Sequence, residues 1–448
     1  MSVPESETAD LPRKIQIIYG LGVSYAIADQ IFAQWLLYYY LPPSASDMRP
    51  VMAPIFISLA LVISRFVDMV ADPAVGYFSD RAETSYGRRM PFIALGTIPL
   101  ALMTVAFFFP PRGGSQLMPF MYLTAVGCLF FIFYTVVGAP YNALIPELAS
   151  SRLERLNLST WQSVFRLLFT AVAMILPGWL ISIIGGGNDE AGVRGMVIIL
   201  SLVMVIFLFI MVWKIDEVKF SEGRTSQTGF KESFSYVLES RSLIFYLLGL
   251  MFFFLGFNTL RATINYYVED IMGYGPAMIT VASGLLFGVA AISFYPINRL
   301  SRKIGYKKPL LFFLVMMAVL AFFLTRLGRE LPVTAGFFLF AVFGIPVSGA
   351  AFIFPPAMLS EIAADFSSRE EAHIEGLFFG LQGFFLKLAF LLSIAAVPLL
   401  LVLGEDLSLL QAIVAEPEEV TRPGIYSTSL LASLSFMLSF LCYLGYRE

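Results

Sequence analysis

The sequence predicts an all-α membrane protein, with twelve transmembrane helices arranged as two six-helix pseudo-repeats. Three observations carry this expectation. Hydrophobic residues fill 58% of 448 positions and charged residues only 14%, with a mean hydropathy of +0.79, far from a soluble average. The apolar residues gather into long runs, many of them near the roughly 20 residues that cross a bilayer as a helix. Short motifs also recur half a chain apart.

Taken in order, the first-half spans lie near 15–41, 51–79, 90–109, 117–145, 158–185 and 195–213. The second-half spans lie near 243–268, 275–298, 309–326, 333–359, 374–403 and 425–445. Between them, 214–242 is the longest charged and polar stretch, which reads as a cytoplasmic linker. The expected units are therefore an N-terminal bundle, 1–213, and a C-terminal bundle, 243–448. Met1 to Asp10 is acidic and polar and does not read as a cleavable signal peptide. Cys128 and Cys442 fall in separate apolar runs, which argues against a disulfide or metal framework.

Basic loop residues set the expected orientation. With the N-terminus inside, Arg81, Arg88, Arg89, Arg152, Arg155, Lys214, Arg299, Lys303, Lys307 and Lys308 are among those facing the cytoplasm. Arg49, Arg112, Arg194, Arg326, Arg329 and Arg422 face the other side. Both termini are then cytoplasmic, in a multi-pass protein of the plasma (inner) membrane.

The repeat shows in the turns. Gly87-Arg88-Arg89-Met90-Pro91 follows the second span, and Gly305-Tyr306-Lys307-Lys308-Pro309 follows the eighth. The fourth span ends in Pro146-Glu147 and the tenth in Pro355-Pro356…Glu361. Two parallel six-helix repeats are the signature of the major facilitator architecture, whose binding site lies near the midplane between them.

Ionisable groups inside spans mark where the chemistry lies. Arg65, Asp68 and Asp72 sit within the second span at spacings of three and four, so they share one helix face. Each costs roughly 2.5–3.5 kcal/mol to insert, which makes the trio a functional candidate. Two carboxylates on one face repel unless a cation, a proton or a basic side chain lies between them. A static charge cluster facing other helices is the competing reading.

Arg65-x-x-Asp68-x-x-x-Asp72-Pro73 and Gly87-Arg88-Arg89-Met90-Pro91 together resemble the glycoside–pentoside–hexuronide:cation symporters, the family of the melibiose carrier. The fourth-span run Tyr134-Thr135 through Glu147-Leu148 and the eleventh-span run Glu375-Gly376 through Lys387-Leu388 are similar to that family too. The resemblance implies a cation site formed by Asp68, Asp72, Thr135 and Lys387. Asp68, Asp72 and Thr135 would supply the oxygen ligands if the ion is Na⁺, a donor set that small hard cations favour. For Thr135 the alternative is a bond to its own helix backbone. For Lys387 it is a static interhelix salt bridge.

The substrate side departs from the resemblance. The melibiose carrier's sugar-binding acid on the fourth span falls at Gly138 here, and its tryptophan at Asn142. The remaining polar candidates are Tyr25, Asp29, Asn142, Gln162, Arg166, Arg261, Asn265 and Gln382. Arg166 and Arg261 are intramembrane cations that either hold an anionic group such as a uronate or are neutralised by Asp29 or Glu269. For gating, Asp80, Arg81, Arg88, Glu147 and Glu361 lie at the cytoplasmic ends of helices.

No phosphate loop, zinc-protease helix, nucleophile elbow or dinucleotide fingerprint appears, so the chain does not read as an enzyme. The expectation is a cation-coupled symporter working by alternating access, as a monomer in a lipid bilayer. It needs no cofactor beyond its coupling ion, Na⁺ or H⁺, and no nucleic acid. Its solute is a glycoside, sugar or sugar acid, with a lysolipid carrier or a non-transporting receptor as rivals.

Overall fold

The computed structural model describes residues 11–82, 84, 86–112, 115–149, 152–220, 241–359, 362, 375–403 and 424–446. Twelve long helices account for most of them. They are α1 (Arg13–Tyr40), α2 (Pro54–Arg81), α3 (Met90–Ala106), α4 (Leu117–Leu148), α5 (Arg152–Gly185) and α6 (Asp189–Lys214). Then follow α7 (Arg241–Tyr266), α8 (Ala277–Ile304), α9 (Lys307–Leu324), α10 (Ala335–Leu359), α11 (Glu375–Leu401) and α12 (Ile425–Gly445). Eleven are long and apolar enough to cross a membrane, and α3 is a shorter apolar helix. Leu95, Trp213 and Ile292 are 76%, 83% and 78% exposed, as expected where the outer solvent is lipid. Most of the expected linker, 221–240, lies outside the described residues.

The paired sequence motifs have a backbone explanation. Gly87 and Gly305 hold φ of +100° and +81°, a region that side chains with a Cβ avoid. Pro91 and Pro309 stand in the first turns of α3 and α9, where a missing N–H costs nothing. Each motif is one reversal between two spans, made twice.

Within the first six helices, α2 packs on α4, α3 on α4 and α6, and α5 on α6 and α1. Within the last six, α7 packs on α12 and α11, α8 on α10, and α9 on α12. The two sets meet chiefly through α5 with α8, α2 with α11 and α1 with α7. Polar contacts between the sets gather toward the end that carries 41–54 and 266–280. Tyr266 Oη donates to the Leu41 carbonyl at 2.5 Å, Ser58 Oγ to Ala395 at 3.0 Å and the Trp179 amide to Thr280 at 2.8 Å. Gly178 permits that last contact, because a Cβ there would sit 2.3 Å from the Pro276 carbonyl.

Departures from regular helix occur both at this seam and within the first half. After Tyr266, α7 widens into a π turn, Tyr267–Ile271, that carries Glu269 and Asp270 against the first half. Asp270 accepts from the Ala45 amide at 3.0 Å, and Glu269 from Tyr38 Oη at 2.8 Å. A 3₁₀ turn at Gly22–Tyr25 tightens α1 where it passes Tyr141 and Met211. Single wide turns of this kind often accompany functional positions.

Candidate cation and substrate site

The site is built on α2, as its shared-face spacing demands. Asp68 is buried and Asp72 is about half exposed, one turn further along. Both carboxylates are arranged the same way. Asp68 Oδ1 and Asp72 Oδ1 lie 3.3 and 3.1 Å from the Thr135 hydroxyl on α4. Asp68 Oδ2 and Asp72 Oδ2 lie 3.1 and 2.5 Å from Lys387 Nζ on α11. The four residues named for a cation site thus come together, and Lys387 reaches them from the opposite half of the chain.

Arg65 closes the apolar side of the site. Its Nη1 donates to Asp68 at 3.0 Å, and its other arm lies 3.8 Å from Asp29 on α1. The guanidinium carbon stands 4.1 and 4.0 Å from the ring centroids of Phe131 and Phe390. A buried guanidinium is tolerable here because it has both a carboxylate and aromatic faces. Phe32 joins these rings, with centroids 5.0 Å from Phe131 and 6.1 Å from Phe390.

The polar residues proposed for the solute divide into two groups. Tyr25, Asn142, Gln162 and Arg166 form two hydrogen-bonded pairs on α1, α4 and α5. Arg166 donates to Tyr25 Oη at 3.1 Å, and Gln162 donates to Asn142 at 2.7 Å. Arg166 remains exposed on the helix surface, so it is available to a solute. Gly138 lets Tyr25 approach, since a Cβ there would meet its ring at 3.2 Å. Across the seam, Arg261 Nη1 donates to Gln30 at 2.8 Å, while its Nε is buried without a partner. Gln382 donates to Tyr246 Oη at 3.2 Å.

Asn265 is a correction. It is fully buried, accepting from the Gln34 side chain at 3.0 Å and donating to its backbone carbonyl at 3.3 Å. It clasps α7 to α1 and presents nothing to a solute. Neither proposed neutralising acid reaches Arg166 or Arg261: Asp29 turns to Arg65 and Glu269 to Tyr38. Among the described residues no carboxylate stands within ion-pair distance of either arginine.

At the basic end, Arg88 and Arg89 both bind Glu147 Oε1, at 3.1 and 3.0 Å. Burial pushes the Glu147 carboxyl above its ordinary range, with the Arg89 hydrogen bond acting against that. Arg81 is exposed at the end of α2. Glu361 and the side chain of Asp80 lie outside the described residues. Sequence reasoning missed Glu217, which the fold buries at the start of α3. Its carboxylate accepts from the backbone amides of Arg88, Arg89 and Met90 at 2.7, 2.9 and 2.8 Å. Glu217 stands before α3 in space but far after it in sequence, so no local capping pattern flagged it.

This architecture and charge set define a major-facilitator-type membrane transporter. Residues 18–446 match the family described as MFS/sugar transport protein, and the chain belongs to it. It is a multi-pass membrane protein of a transporter family, and not an enzyme. Among curated relatives, it is 26% identical over 204 residues to the inner membrane symporter YicJ of Escherichia coli, covering 46% of this chain and 43% of the relative. It is 31% identical over 204 residues to the putative glycoside/cation symporter YagG of the same organism, covering 45% and 42%. The matched stretches therefore span less than half the length of these relatives. The fold is similar to the crystal structure of a bacterial homologue of the human lysosomal transporter Spinster, inward-facing and unoccupied. There the TM-score is 0.67 at 14% identity, covering 96% of each chain.

Proposed function

We propose that the protein is a cation-coupled symporter of a small polar solute, a glycoside, sugar or sugar acid. One observation carries the reading. Asp68, Asp72 and Thr135 turn three oxygens toward one another, and the threonine has a single hydrogen to share between two carboxylates. The remaining oxygens are held by Lys387 and, at Asp68, by Arg65, so a proton or metal cation would take the place of the lysine between the carboxylates. Na⁺ suits three hard oxygens, and H⁺ would serve by neutralising one carboxylate.

Coupling then follows from Lys387. An arriving cation competes with its ammonium for both carboxylates, and α2 and α11 lose their charged tie. Occupied and unoccupied sites thereby favour different arrangements of the two halves, which is what coupling requires. Because Asp72 and Lys387 lie in opposite halves, the tie acts where 1–213 and 243–448 would rock. A single chain supplies all four residues, so the proposed cation site needs no residue from a second copy.

The solute occupies the chamber beside Tyr25, Asn142, Gln162 and Arg166, with Arg261 and Gln382 facing it from the second half. Among the described residues Asp29, Asp68 and Asp72 pair with Arg65 and Lys387, while Arg166 and Arg261 have no carboxylate within ion-pair distance. An intramembrane cation without a counter-ion is costly, so the favoured solute is anionic, of the sugar-acid type. The asymmetry of basic loops supports a plasma (inner) membrane location with both termini cytoplasmic. The seam closed at the 41–54 and 266–280 end is then the outer one, and the protein is inward-facing.

Proteoliposomes test the reading with radiolabelled glucuronate and glucose under an imposed Na⁺ or H⁺ gradient. Accumulation above equilibrium that collapses with the gradient is expected. Specific binding without uptake would instead mark a receptor and overturn it.

A further inference from the structure

One aromatic ring touches both the ion site and the solute site. Phe390 is buried on α11, three residues beyond Lys387, a spacing that places the two on one helix face. Its ring centroid lies 4.0 Å from the guanidinium carbon of Arg65 on α2 and 5.6 Å from that of Arg261 on α7. Adjacent residues of α1 hold the same two arginines. Asp29 lies 3.8 Å from Arg65, and Gln30 accepts from Arg261 at 2.8 Å. Each guanidinium also leaves its Nε buried with no hydrogen-bond partner among the described residues. The π face of Phe390 therefore offsets part of the cost of burying both cations, with Arg65 in the closer contact.

The backbone of α11 is fastened to the second half. Ser393 Oγ and Thr259 Oγ1 lie 3.3 Å apart in a hydrogen bond, and Ala389 packs with Met251 and Leu255 of α7. From this anchored helix, Lys387 and Phe390 reach across to α2, the lysine onto Asp68 and Asp72 and the ring onto Arg65. Displacing the lysine thus removes the charged tie beside the ring and frees the ring to move with α11.

We infer that Phe390 is a positioning residue that transmits cation occupancy to Arg261, the solute-facing arginine of the second half. This rests on the coupled-symport reading above. With Lys387 on the carboxylates, α11 is drawn to α2 and the ring lies on Arg65. With the lysine displaced, α11 withdraws, and the ring leaves Arg65 and closes on Arg261, which fixes that guanidinium for an anionic solute. By linkage the effect is reciprocal: an anion on Arg261 favours the ring there and so favours the cation. An aliphatic side chain would fill the space but offer no π face to either arginine.

Binding of radiolabelled glucuronate to the purified full-length protein tests this, with and without Na⁺ and at acid and alkaline pH. In the wild type the cation should tighten glucuronate binding roughly fivefold to hundredfold, the usual range for two coupled sites. Phe390→Leu should still bind glucuronate, and Na⁺ or H⁺ should still raise its Tm, but the tightening should be lost. Phe390→Tyr keeps the π face and should retain it. Phe390→Met, closer in volume to the native residue, carries the same comparison where Phe390→Leu does not fold. Full tightening in a folded Phe390→Leu or Phe390→Met protein overturns the role of the ring and leaves coupled symport standing. Loss of tightening in Phe390→Tyr as well makes Phe390 a packing residue and also overturns it. Cation-independent glucuronate binding by the wild type overturns the coupled reading itself, and absence of binding overturns the anionic-solute reading that gives Arg261 its role.

Discussion

Lys387 Nζ lies 2.5 Å from Asp72 Oδ2 although 315 residues separate them, and the same ammonium lies 3.1 Å from Asp68. This contact joins α2 to α11, and under the proposed coupling mechanism it is the one that the ion would disturb.

Charge removal tests it directly. Asp68→Asn and Asp72→Asn should each abolish Na⁺- or pH-dependent solute binding by the purified protein and stop uphill uptake. Lys387→Ala should raise apparent cation affinity, because the competitor is gone, and also reduce solute-driven exchange. A Lys387→Ala protein with unchanged cation affinity would make the lysine a structural pin.

Thr135 separates an oxygen ligand from a packing residue. Thr135→Ser keeps the hydroxyl and should retain ion dependence, whereas Thr135→Val keeps the shape and should weaken cation affinity. Loss of one ligand among three is expected to cost about 1–3 kcal/mol, or roughly 5- to 150-fold in the ion concentration giving half-maximal binding. Equal behaviour of the two variants would remove Thr135 from the site.

The closed end depends on Tyr38 and Glu269. Tyr38→Phe leaves a buried carboxylate without its tyrosine donor, at a cost of about 1–3 kcal/mol to this arrangement. The population should shift toward opening there. Labelling of a cysteine introduced at Ser46 by an impermeant thiol reagent reports it, and should proceed faster in the Tyr38→Phe background. A single cysteine at exposed Ser115 should label from outside intact cells and one at exposed Lys303 only in inverted vesicles; the reverse pattern would invert the proposed orientation.

Glu217 caps α3 with three backbone hydrogen bonds at the positive end of the helix dipole. Glu217→Ala should destabilise the protein by about 1–2 kcal/mol and lower its Tm in detergent, while Glu217→Gln retains part of the cap. Gly87→Ala should also destabilise, since its Cβ meets the Glu217 carboxylate at a φ of +100°. Wild-type melting of Glu217→Ala would show that solvent replaces the cap.

The sequence by itself determined the membrane class, the twelve spans and the α2 charge trio. Each is a local property: hydropathy over about 20 residues, or spacing on one helix face. It also marked the paired reversals, because Gly87 with Pro91 and Gly305 with Pro309 are backbone requirements written in residue type. Tertiary structure alone decided which polar groups remain available. Asn265 looks like a ligand-facing amide until α1 brings Gln34 onto it. Asp29 and Glu269 look like counter-ions for the arginines until Arg65 and Tyr38 claim them. Glu217 has no visible role until the chain folds its carboxylate under α3. Partners on different helices, from 36 to 231 residues apart in these cases, leave no periodic trace, so the satisfied and unsatisfied cations could be told apart only once the helices were packed.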